Sequence, residues 1–185
     1  MITKFFITKT IFQRIKLFSL LIVFNFLFVP VSLSNDWWNS ILEKPYLIGE
    51  GVLKVFIWDI YTLRLFSESK KFDKDQALVL EFEYLRNTSK KSVIKASVIE
   101  LKKVNISNNK LEIWEGYLEQ SISDMLKGEK AAIYWEPSGK IIFYVKGGKK
   151  VVIQDNEFAD AYINIWLGEN TERPKLRKKI IGKNK

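Results

Sequence analysis

The chain has 185 residues, with 30 Lys and Arg against 21 Asp and Glu, a formal charge of +9, and neither cysteine nor histidine. That composition excludes disulfides, thiolate nucleophiles, Cys or His metal centres and a Ser-His-Asp triad. No metal or cofactor is therefore expected, and any chemistry must use carboxylates, Lys, Arg, Tyr, Ser or Thr.

Residues 1–34 carry only positive charge, at Lys4, Lys9, Arg14 and Lys16, followed by an apolar run from Leu17 to Val29, then Pro30 and a small-residue site with Ser32 and Ser34. This is the order of a secretory signal peptide. Cleavage after Ser34 would leave 35–185 as one ordinary domain, periplasmic or secreted. The alternative is an N-terminal membrane anchor, although a spanning helix needs about 20 apolar residues and Asn25 and Pro30 interrupt this run.

In the remaining chain, Trp37 to Leu42 opens a short helix or arm, and Lys54 to Arg64 is rich in the β-branched and aromatic residues of strands. From Gln76 to Leu85 the alternation is strict: Leu78, Leu80, Phe82 and Tyr84 share one face of a half-buried antiparallel strand, with Glu81 and Glu83 on the other. Ser89 to Val104 changes to helical spacing through Ile94, Val98 and Leu101. The next helix reads through Leu111, Trp114, Leu118, Ile122 and Met125. Glu81 with Glu83, and Glu112 with Glu115, read as solvated faces rather than paired catalytic acids.

Ala131 to Trp135, the turn Glu136 to Gly139, and Lys140 to Val145 form a hairpin; Lys146 to Lys149 turns the chain again into Lys150 to Gln154. A last long helix begins near Asp155, a capping residue, with Phe158, Tyr162, Ile165 and Trp166 as its inner stripe. Pro174 can start one further helical turn carrying Leu176 and Ile180. Strands on both sides of a helical middle predict an α+β fold in which an antiparallel β-sheet is covered on one face by helices.

The positive excess sits in the leader and in the tail from Thr171, and the body between them is close to neutral. A nucleic-acid binder carries a basic stripe across its folded surface, so no nucleic acid is expected. The basic C-terminal tail, Arg173 to Lys185, reads as a solvated helix with a frayed end, or as a contact for an envelope protein or an anionic membrane surface.

Two blocks carry a resemblance. One is the closing segment: Asp155 to Ala159, Ile165-Trp166-Leu167, Thr171, Pro174, Leu176-Arg177 and Gly182. The other is Gly49-Glu50-Gly51-Val52-Leu53-Lys54-Val55-Phe56, followed by Asp59-Ile60-Tyr61 and Arg64-Leu65. Together they resemble the bacterial chalcone-isomerase-like family, which implies an open-faced β-sandwich of the chalcone isomerase fold.

The resemblance brings two ligand classes. Plant chalcone isomerases use a cationic side chain to stabilise a phenolate, and related plant proteins of the fold hold a fatty acid, with Arg and Tyr gripping its carboxylate. Tyr61 matches the family tyrosine; Lys54, where relatives often have Arg, and Arg64 are the candidate cations. Lys54, Tyr61 and Arg64 are thus the expected ligand-binding residues, with no catalytic residue assigned.

Trp58, Tyr61, Phe82 and Tyr84 either line a pocket for a flat or long apolar ligand or fill the core. The leading reading is a non-enzymatic exported binder of a fatty acid or flavonoid-like molecule, or an envelope interaction domain. The alternative is an intramolecular lyase acting on an unsaturated ketone, its oxyanion held by Lys54 and Tyr61.

Overall fold

The computed structural model describes residues 41–183, all within one compact unit, Trp37–Lys185. The signal sequence expected over 1–34 and most of the arm expected from Trp37 lie outside the described residues. Six antiparallel strands form one sheet in sequential order: β1 (Tyr46–Val55), β2 (Trp58–Ser67), β3 (Leu78–Tyr84), β4 (Lys130–Trp135), β5 (Lys140–Val145) and β6 (Lys149–Gln154). Helices α1 (Lys90–Leu101) and α2 (Asn108–Ser121) interrupt the meander, and α3 (Asn156–Leu167) and α4 (Pro174–Ile180) follow it.

The β3 alternation sets the two faces of the sheet. Leu78, Leu80, Phe82 and Tyr84 join Leu63, Leu65, Ile133, Trp135, Ile141 and Phe143 in the main core beneath the helices. Phe158, Tyr162 and Trp166 on α3 close that core from above. Each of the three longer helices starts where a side chain accepts from an otherwise free amide: Ser89 from Ser92, Ser107 from Lys110 and Asp155 from Phe158. The second helix stops at Ser121, short of the expected Ile122 and Met125. Met125 instead bridges to Thr88 through paired backbone hydrogen bonds.

The single strand expected over Lys54 to Arg64 is two strands joined by a two-residue turn, Phe56-Ile57. Phe56 takes φ 53°, in the left-handed region normally left to Gly or Asn. No residue of the usual turn types announced this hairpin.

Glycines 49 and 51 explain how α4 reaches the sheet. A Cβ on Gly49 would come within 2.8 Å of the Ile180 carbonyl oxygen and closer still to that of Lys179, and one on Gly51 would lie 2.7 Å from Leu176 Cδ1. Bare backbone on β1 thus lets the short helix lie directly on it. The basic tail is consequently a docked helix through Ile180, with Leu176, Ile180 and Ile181 buried and Lys175, Lys178 and Lys179 exposed.

The most specific run of the sequence acts as a clamp. Thr171 Oγ1 donates to the Ile165 carbonyl at 2.6 Å and Arg177 Nε to the Leu167 carbonyl at 2.8 Å, satisfying acceptors at the end of α3.

On the opposite face of the sheet, Glu81 is buried rather than solvated as expected. Arg64 stands directly across from it in register and donates to Glu81 at 3.1 Å, Glu83 at 2.8 Å and Glu50 at 3.1 Å. Lys130 Nζ lies 3.4 Å from Glu81 as well. Glu112 and Glu115 are exposed, as a solvated face requires.

Candidate functional site

Between the helix-covered face of the sheet, α1 and the end of α3 lies a cavity of about 930 Å³, within the usual size of small-molecule sites. Its floor is Leu53, Tyr61, Phe82 and Tyr84 from the sheet; its roof is Tyr162, Ile165 and Trp166 from α3. Along α1 it is bordered by Ser92, Val93, Ala96 and Ser97, of which Ser92 and Ala96 are exposed, so the cavity opens beside this helix. Arg86, Leu126, Glu172 and Arg173 complete the rim.

The aromatic walls are held edge to face. Tyr61 meets Phe82 at 5.1 Å between ring centroids and Tyr84 at 5.9 Å, and Trp166 meets Phe82 at 5.1 Å and Tyr162 at 5.3 Å. These geometries favour ring quadrupoles and fix the wall shape. Trp166 Nε1 donates to the Tyr61 hydroxyl at 2.9 Å. With that lone pair engaged, the Tyr61 O–H remains available as a donor.

Burial pushes the Tyr61 hydroxyl well above its ordinary range; the Trp166 hydrogen bond and the Arg173 charge pull the other way without overcoming it. Protein surrounds Tyr61, yet the ring keeps partial accessible surface where it lines the cavity. Tyr84 is pushed up to about 12 by burial. Tyr162 is raised for the same reason, with a hydrogen bond to Ser97 Oγ at 3.4 Å opposing it. All three therefore stay neutral at physiological pH and present hydroxyl groups rather than phenolate bases. Ser121 Oγ, also lining the cavity, is buried with no hydrogen-bond partner among the described residues.

The three residues expected to bind ligand are separated. Tyr61 lines the cavity. Lys54 does not: it is 66% exposed and pairs with Asp59 at 3.0 Å near the β1–β2 turn. Arg64 points to the other face of the sheet, as its three-residue offset from Tyr61 dictates, and is taken up by Glu50, Glu81 and Glu83. Burial alone would lower the Arg64 pKa, but the hydrogen bonds to Glu83 and Glu81 outweigh it and leave the guanidinium firmly charged. Trp58, expected to face the helices, is 54% exposed at the turn, with Arg86 4.4 Å from its ring centre.

Among the described residues, two cations do reach the cavity: Arg86, stacked on Trp58, and Arg173, just before α4, whose charge acts on Tyr61. Sequence reasoning grouped Arg173 with the basic tail. The signal available was its place next to Pro174, which starts the helix that packs on Gly51.

No curated protein is matched significantly by this sequence. Among solved structures, the crystal structure of a fatty-acid binding protein of Arabidopsis thaliana superposes with a TM-score of 0.59 at 10% identity, covering 76% of this chain and 88% of that one. At that identity the likeness concerns the fold: the same sheet with its helical cover. A family model described as chalcone isomerase-like matches residues 43–182, from just before β1 to the glycine after α4, and the chain belongs to the chalcone isomerase-like family.

Proposed function

We infer that this protein is a non-enzymatic carrier of a fatty acid or a similar long apolar molecule with one anionic end. The observation that supports this most is the composition of the cavity: aromatic and aliphatic walls, neutral tyrosine hydroxyls, and two cations, Arg86 and Arg173, at the rim. An apolar chain gains from leaving water for such walls, by about 25 cal/mol per Å². A carboxylate at the rim would take a charge-assisted hydrogen bond from Arg173 and a second from the Tyr61 O–H. The similar fold of a plant fatty-acid binding protein supports the same ligand class.

The isomerase alternative assigned the oxyanion to Lys54 together with Tyr61. Lys54 lies off the cavity and is neutralised by Asp59, so the carrier reading is preferred. Export of the domain after cleavage at Ser34 is part of the proposal and is supported by the order of charge, apolar run and small residues in the leader.

Native mass spectrometry of protein purified from its own cells, followed by solvent extraction, tests the reading. A fatty acid recovered in stoichiometric amount is the expected result; turnover of a chalcone by the empty protein would establish the isomerase instead.

A further inference from the structure

The β1–β2 turn presents apolar side chains to water where a hairpin normally presents Gly, Asn or Asp. Phe56 is 96% exposed, Ile57 84% and Trp58 54%. Phe56 also holds φ 53°, a conformation a bulky residue adopts at a cost. Three consecutive exposed large apolar residues at a protruding tip serve no packing purpose within this domain.

The tip is continuous with the cavity. Val55 and Ile60, flanking the turn on its two strands, line the cavity wall, and Leu126, 52% exposed, lines the same rim. Arg86 is stacked on Trp58; Lys127 follows Leu126 in the chain, its backbone N–H donating to Asn87; and Arg173 lines the same cavity, next to Glu172, which is paired with Lys103. Lys54 is offset by Asp59, so the cations that count toward a partner are Arg86, Lys127 and Arg173. Apolar and aromatic residues at a tip, with Trp among them and cations behind, match the layering of a membrane surface: acyl chains, interface and anionic headgroups. A protein partner would call for a broader patch than a two-residue turn.

We propose that the Phe56-Ile57-Trp58 tip inserts into the surface of an anionic bilayer, setting the rim of the cavity against the membrane so that an apolar ligand passes between them without crossing water. Insertion of Phe56 and Ile57 supplies apolar contact, and Arg86, Lys127 and Arg173 select anionic headgroups.

The absence of native cysteine makes a site-specific test direct. Ile57→Cys and, as a control on exposed β6, Val152→Cys are each labelled in the full chain with an environment-sensitive fluorophore. They are mixed with vesicles of phosphatidylcholine alone or with phosphatidylglycerol added. The label at position 57 should shift to the blue and be quenched by lipid-borne quenchers only with phosphatidylglycerol present, and the label at position 152 should do neither. Adding Phe56→Asn, which suits the left-handed backbone, should abolish most of the shift at position 57 while the melting curve stays in place. Lys127→Glu should weaken the response several-fold.

An unresponsive label at position 57, or equal responses at both positions, overturns the proposal. So does a blue shift that grows with protein concentration in the absence of vesicles, which would assign the tip to a second copy of the chain. No fatty acid enters this measurement, so its failure leaves the carrier reading standing, and failure of ligand binding leaves the docking result standing.

Discussion

Trp166 on α3 donates its indole N–H to the hydroxyl of Tyr61 on β2 at 2.9 Å, tying the helical cover to the sheet across the cavity. The same indole packs on Phe82 and Tyr162. Trp166→Ala should therefore cost about 3 to 5 kcal/mol in chemical denaturation, the usual price of deleting a large buried ring. Trp166→Phe keeps most of the packing and loses the donor, and should cost about 1 kcal/mol from the hydrogen bond.

Arg64 and the cavity are on opposite faces of the sheet, which separates stability from binding. Arg64→Ala removes a cation held 3.1 Å from the carboxylate of Glu81, whose side chain is only 3% exposed, and keeps Lys130 at 3.4 Å. Loss of one partner from such a buried pair is expected to cost about 3 kcal/mol. Denaturation midpoints should fall while ligand affinity, measured below the transition, is unchanged.

The tyrosines predict the alkaline limit of the fold. Burial raises Tyr84 from 10.0 to about 12 and lifts Tyr61 and Tyr162 further in the same direction. Each folded pKa lies above the unfolded value, so this part of the stability is intact below pH 10 and is lost as pH rises from 10 through about 12. Tyrosinate absorbance should rise in two stages, exposed rings first, with the buried rings ionising together with loss of far-ultraviolet circular dichroism. A single stage near pH 10 would mean that the buried set is not buried in solution.

The α+β order and the sheet covered on one face were legible because β3 alternates strictly and the long helices carry capping residues at their starts. The β1–β2 turn was not, because Phe56-Ile57 has none of the chemistry that turns ordinarily advertise. Tyr61 was legible as a cavity residue by resemblance. Its separation from Arg64 was available from strand period alone, since an odd offset puts two residues on opposite faces. Lys54 follows a register shift between Leu53 and Lys54 that no sequence pattern marks. Arg173 was hidden in a charge run, and only the docking of α4 on Gly49 and Gly51 brings it to the rim.

Export makes its own prediction. Intact-mass measurement of the envelope fraction should find Asn35 as the new N-terminus, following the Ser32-Leu33-Ser34 site. Recovery of the full-length chain from membranes alone would support the anchor.

The most direct test of the carrier reading is calorimetric titration with a long-chain fatty acid, on the wild type and on Arg173→Ala, Tyr61→Phe and Lys54→Ala. The wild type should bind one molecule per chain. Arg173→Ala should weaken binding by about 1.5 to 3 kcal/mol, the worth of a charge-assisted hydrogen bond, and Tyr61→Phe by about 1 kcal/mol. Lys54→Ala, off the cavity, should bind as the wild type does. Absence of binding to any fatty acid, or an Arg173→Ala variant with wild-type affinity and a weakened Lys54→Ala, would contradict the assignment.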